Sequence, residues 1–115
     1  KILFIITTDG QENSSRKYSY ERVQHMVKRQ QERFGWEFLF LGANIDAVCE
    51  AGKFGIRADR AVNYECDRVG TEINYQVLSR AVSRIRACES ASAMQEALVG
   101  WDEEIRDDYA NRHMK

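Results

Sequence analysis

The feature that most limits what this chain can fold into is a recurrence of short, dense apolar runs, each followed by a segment of helical period. Ile2-Leu3-Phe4-Ile5-Ile6 is the first. A strand covered on one face alternates polar and apolar residues; an unbroken β-branched and aromatic run is covered on both, as in a parallel α/β sheet. The run gives way to Thr7-Thr8-Asp9-Gly10 and then to an aperiodic polar stretch, Gln11 to Lys17, which reads as a surface loop at the strand's C-terminal end. From Tyr20, the positions Tyr20, Val23, Met26, Val27 and Phe34 follow helical spacing, with Ser19 placed to cap the helix and Gly35 to end it. Trp36 to Leu41 is a second buried strand, ended by Gly42-Ala43-Asn44.

The pattern continues. Asn44 is expected to cap a short helix over Ile45 to Ala51, Gly52 and Gly55 break it, and Ala61-Val62-Asn63-Tyr64 forms a short third strand. Thr71 is expected to cap a helix whose stripe is Leu78, Ala81, Val82, Ile85 and Cys88. A last helix, about 91–110, carries Met94, Ala97, Leu98, Trp101, Ile105 and Tyr109 on one face. Strands alternating with helices imply parallel strands joined by right-handed crossovers, with the first strand beside the second and the third on the second's far side. The expected architecture is a single α/β domain over residues 1–115, a three-layer, Rossmann-like parallel sheet in the order β-α-β-α-β-α-α. No proline, repeat or low-complexity stretch marks a second domain. Three strands are few for such a sheet, and the most hydrophobic comes first, so further strands are expected ahead of Lys1.

Charge and cysteine usage restrict function. Seventeen Lys and Arg balance 18 Asp and Glu, so no bulk field draws the chain to nucleic acid or anionic lipid, and any binding is local. Ile2 to Ile6 is too short to cross a bilayer. Cys49, Cys66 and Cys88 form no C-x-x-C pair, which implies structural roles and a reduced, cytoplasmic protein.

The stretch Ile5-Ile6-Thr7-Thr8-Asp9-Gly10 resembles the fourth strand and following T-D-G loop of von Willebrand factor A-type (vWA) domains. The fuller strings Thr8-Asp9-Gly10-Gln11-Glu12-Asn13 and Trp36-Glu37-Phe38-Leu39-Phe40-Leu41-Gly42-Ala43-Asn44 look like a group of bacterial vWA proteins, and the resemblance runs from about Ile2 to Tyr75. It implies the C-terminal half of a protein-binding module whose intact form holds magnesium and completes the ion's coordination with an acidic group of its ligand. In that family the ligands come from a D-x-S-x-S motif, a threonine in a second loop and the aspartate of the T-D-G loop. Only the last carries over, to Asp9, leaving an incomplete metal-ion-dependent adhesion site. No cofactor is therefore expected for this chain alone, since one carboxylate does not satisfy a cation that demands octahedral oxygen coordination. The remaining helix lies outside the resemblance.

Two other classes stay open. Ligands of open α/β sheets gather at the C-terminal strand ends, where Asp9, Asn44, Asp46, Glu65 and Asp67 could form the carboxylate cluster of a magnesium-dependent phosphatase or nuclease. Against that, Asn44 and Asp46 suit helix capping, and Glu65 and Asp67 suit solvated loops. Asn13-Ser14-Ser15-Arg16-Lys17 offers hydroxyls and cations to an anion but lacks the glycines of a phosphate loop. His25, inside a helix, and His113, in a fraying tail, have no nucleophile beside them, and neither G-x-S-x-G nor H-E-x-x-H occurs. The third class is a structural or assembly unit. In each case the apolar edge at Ile2 to Ile6 is expected to be covered, by a homo-oligomer contact or by a missing N-terminal half.

Overall fold

The computed structural model describes residues 2–9 and 20–113, and of the two long apolar runs only Trp36 to Leu41 is covered on both faces. Ile2 to Ile6, expected to be covered likewise, is at most half-buried, with Ile2 and Phe4 exposed, because among the described residues its strand pairs on one side only. Three parallel strands lie in the order β1-β2-β3, with β1 at Leu3–Asp9, β2 at Glu37–Ala43 and β3 at Ala61–Asn63. Every residue of β2 is buried, as befits the strand paired on both sides. Helices α1 (Tyr20–Phe34) and α2 (Ala47–Lys53) supply the crossovers, and α3 (Arg68–Arg86), α4 (Ala91–Ala97) and α5 (Glu103–Arg112) complete the described chain.

Side chains alternating along the strands build two cores. On one face Phe38, Phe40 and Ala61 pack with Val27, Ala47, Ala51 and Ile56. On the other, Leu39, Leu41, Val62 and Tyr64 meet Val77, Ala81 and Ile85 of α3, together with Met94, Leu98, Trp101 and Ile105. The sheet is thus the middle of three layers. Burying a side chain such as Phe40 or Leu41 stabilises the fold by roughly 1.5–3 kcal/mol, so the doubly covered β2 is the energetic centre of the chain. No described helix is long and apolar enough to cross a membrane.

Several boundaries differ from expectation, each for a physical reason. Strand β1 continues past Ile6 through Thr7, Thr8 and Asp9, and β2 begins at Glu37 and runs through Gly42 and Ala43, because the parallel ladder extends to the pair Asp9 and Ala43. Trp36 lies outside the strand. Asn44 does not cap α2; the N-cap is Asp46, whose Oδ1 accepts from the Cys49 amide at 3.1 Å. Thr71 does not cap α3 either. Asp67 does, accepting from the Gly70 amide at 2.8 Å, so the helix starts a turn earlier. The single last helix is two, because Gly100 takes the left-handed φ of 72° between α4 and α5. Val82 is exposed rather than part of the buried stripe, and on α1 only Val27 is buried, with Met26 and Phe34 exposed. Cys88 is buried, but Cys49 and Cys66 are exposed thiols. The expected cap at Ser19 and the Gln11 to Lys17 loop lie outside the described residues.

Candidate functional site

Parallel strands point their C-terminal ends to one edge of the sheet, and the loops leaving that edge carry the polar residues of interest. Asp9 is the last residue of β1, opposite Ala43 of β2. Its Oδ1 accepts a hydrogen bond from Nδ2 of Asn44 at 3.0 Å. Asn44, the residue after β2, has a φ of 59°, the left-handed region that few residues other than glycine adopt. The turn it begins is pinned by Asn63 at the end of β3, which donates through Nδ2 to the Ile45 carbonyl at 2.7 Å and accepts the Ala47 amide on Oδ1 at 3.0 Å.

Tyr64 stands next to this group. Burial pushes its hydroxyl above the ordinary value of 10.0, and the neighbouring Cys66 thiol and the Asp9 charge push the same way. The tyrosine therefore stays neutral across the physiological range, as a hydrogen-bonding group rather than a base.

The other acids at this edge have structural partners. Asp46 caps α2. Glu65 and Asp67, expected to be solvated, are strapped down by the end of α5: Oε1 of Glu65 lies 2.7 Å from Nε2 of His113, and Asp67 accepts from Arg112, which also pairs with Asp108. His113 is correspondingly no fraying tail residue; its ring packs on Tyr109 at 4.2 Å between centroids. His25 is exposed on α1. Among the described residues no three His, Cys, Asp or Glu side chains gather as a metal-binding group. The carboxylate cluster needed by a phosphatase or nuclease is therefore not assembled by the described residues, and Asp9 has an amide nitrogen on one of its oxygens.

Sequence reasoning missed Asn63, Tyr64 and Arg112. Asn63 was legible only as a strand residue, since its role depends on the loop that folds over it. Arg112 acts across 45 residues of sequence, a separation without local signal.

The strap carries a pH signature. Hydrogen bonds from Arg112 and from the Gly70 amide hold the Asp67 carboxyl below its ordinary value of 3.8. A carboxyl depressed in the folded state stabilises it fully above the unfolded value, and the contribution disappears as pH falls through the lowered folded one. Asp67→Asn should therefore lower the thermal midpoint by a constant amount above about pH 5, with the difference from wild type shrinking below pH 4. Melting curves from pH 2 to 7 check this, and a difference that grows on acidification would contradict the strap. The effect is small, because both groups are partly solvated.

Compared with protein-family models, with curated proteins and with solved structures, the chain finds no match.

Proposed function

We propose that this chain is the C-terminal half of a vWA-type protein-binding module, with Asp9 supplying one ligand of a metal site shared with loops beyond those described. The observation that carries the reading is the position of Asp9: the last residue of an edge strand, at the C-terminal end of a parallel sheet, its carboxylate fixed across the strand pair by Asn44. Among the described residues β1 pairs only with β2, which supports the reading, since strands of the other half would pair on its other side. In an intact module of this kind the metal recruits an acidic group of a protein ligand. Among the described residues no three His, Cys, Asp or Glu side chains gather at Asp9, so the other ligands of such a metal would come from elsewhere. Three free thiols suit a reducing, cytoplasmic setting.

Calorimetry tests the reading. The isolated chain should bind magnesium or manganese no more tightly than about millimolar, because one carboxylate cannot replace ligands from three loops. The longer protein, with the strands that precede β1, should carry a D-x-S-x-S segment and bind magnesium in a manner lost in Asp9→Asn. Micromolar affinity in the isolated chain, abolished by Asp9→Asn, would instead reveal a complete ligand set within it and favour the phosphatase or nuclease. A longer protein without D-x-S-x-S and without magnesium affinity would leave the assembly unit.

A further inference from the structure

We infer that the flank of α3 turned away from α5 is a self-complementary surface whose partner is a second copy of this chain. One two-fold axis pairs β1 with β1 and α3 with α3, and sets Tyr75 of each copy against Arg86 of the other. The surface lies at the side of the sheet, and no metal at Asp9 is involved.

The two flanks of α3 differ in kind. One is tied into the fold, with Arg80 paired to Glu104 of α5, while Val77, Ala81 and Ile85 enter the core. The other carries Tyr75, Leu78, Ser79, Val82 and Arg86, which line one shallow recess, with Tyr75 and Val82 exposed. That recess runs on into the one that Val82, Ile85 and Arg86 share with Ile2 and Leu3. The outer flank is thus continuous with the side of the sheet on which β1 has no partner strand among the described residues.

Chemical order along the stripe identifies the occupant. An aromatic ring stands at one end, a guanidinium at the other, and a small and two branched residues between them at helical spacing. Set antiparallel to its own copy, the stripe places Val82 against Leu78 and Ser79, and the ring of Tyr75 against the guanidinium of Arg86, each contact occurring twice. A copy lying parallel would instead set arginine against arginine.

The sheet asks for the same axis. Helix α3 begins at the strands' C-terminal ends, capped by Asp67, and finishes beside Ile2 and Leu3, so it runs antiparallel to β1. The middle of its stripe lies about 6 Å back along the helix from the level of Ile2 and Leu3, or about two residues along the strand, near Phe4 and Ile5. That is also the middle of the charge-free stretch Ile2 to Thr8, about which β1 would pair antiparallel with its copy. Because α3 packs on Leu39 and Leu41 of β2 in a cluster that Leu3 and Ile5 join, sheets joined edge to edge set the two α3 axes about two strand spacings apart, roughly 10 Å, the distance at which helices pack.

Sedimentation equilibrium of the whole 115-residue chain tests this, with melting curves as a check that each variant folds. Wild type should dimerise. Tyr75→Lys sets a cation against Arg86 of the second copy at two symmetry-related contacts and should weaken dimerisation at least about tenfold. Tyr75→Glu offers that arginine a carboxylate and should stay within about threefold of wild type. Adding Arg86→Glu to Tyr75→Lys should restore affinity to that range. The net charge of −1 would by itself favour Tyr75→Lys, so the expected order has a local cause. A merely sticky apolar flank would lose equally in both single variants, which would overturn the pairing of Tyr75 with Arg86, as would a dimer indifferent to both. A monomeric wild type, or an assembly that keeps growing with concentration, would overturn the two-fold contact itself. Calorimetry at Asp9 reads the metal independently of any of these results.

Discussion

Arg60→Met should destabilise the chain by about 3–5 kcal/mol, the cost of leaving a buried carboxylate without its partner. Arg60 and Glu37 have side chains only 5% and 9% exposed, with Nε of the arginine 3.2 Å from Oε1 of the glutamate. Glu37 opens β2, opposite Leu3 of β1, and although it stands at the end of the ladder it is buried, so its charge is shielded from water. The arginine also reaches Asp59 at 3.1 Å, and the Asp59 carbonyl accepts from Nε1 of Trp101 at 2.9 Å, which ties the pair to the helical layer behind the sheet. A loss of this size is a large share of the roughly 5–15 kcal/mol typical of a folded domain. Replacing both partners, as in Arg60→Met with Glu37→Leu, should recover more than half of the loss, since no unpaired charge then stays buried. Urea titration of the three proteins measures both effects. A single variant within about 1 kcal/mol of wild type would show that water reaches Glu37 and that the pair is not a buried one.

The second large effect is expected at the open edge of the sheet. Among the described residues β1 pairs only with β2, and Ile2 and Phe4 are 42% and 48% exposed. No charge or proline interrupts Ile2 to Thr8, so the edge lacks the devices by which strands resist association. Val82 of α3 lines a shallow recess with Ile2 and Leu3, extending the apolar surface beyond the strand. The isolated chain is expected to form a dimer or larger assembly at micromolar concentration. A two-fold axis beside β1 would pair it antiparallel with its copy and join two three-stranded sheets into one of six. Ile2→Lys places a charge on that edge and should weaken the association at least about tenfold, with little change in monomer stability because the position is exposed. Sedimentation equilibrium checks it. A longer protein that supplies its own strands at this edge should not associate through it. A monodisperse wild-type monomer with fast-exchanging β1 amides would count against the half-domain reading.

Much of the fold was legible in the residues themselves, because strand and helix periods are local. Ile2 to Ile6 and Trp36 to Leu41 could be read as parallel strands from their unbroken apolar character, although only the second is covered on both faces, and the pairing of β1 and β3 on opposite sides of β2 follows from short right-handed crossovers. Caps were less legible. Asn44 and Thr71 are plausible N-caps by type, yet Asp46 and Asp67 also fit, and which acceptor meets an amide two or three residues on depends on where the preceding loop delivers the chain. Gly100 offered a stop signal inside the last apolar stripe, but that stripe continues in phase across it, so periodicity alone read one helix.

By itself, then, the sequence determined the class of the sheet, its strand order, and the arrival of Asp9 at the C-terminal edge, all of which depend on hydrophobic period and connection length. Tertiary structure alone decided what each polar group at that edge does: Asn44 turned to Asp9, Asn63 clamping the turn, Asp67 and Glu65 taken up by Arg112 and His113 of the chain's far end. A hydrogen bond or ion pair acts within a few ångströms and is blind to sequence separation, so partners 35, 45 and 48 residues apart leave no periodic trace until packing brings them together.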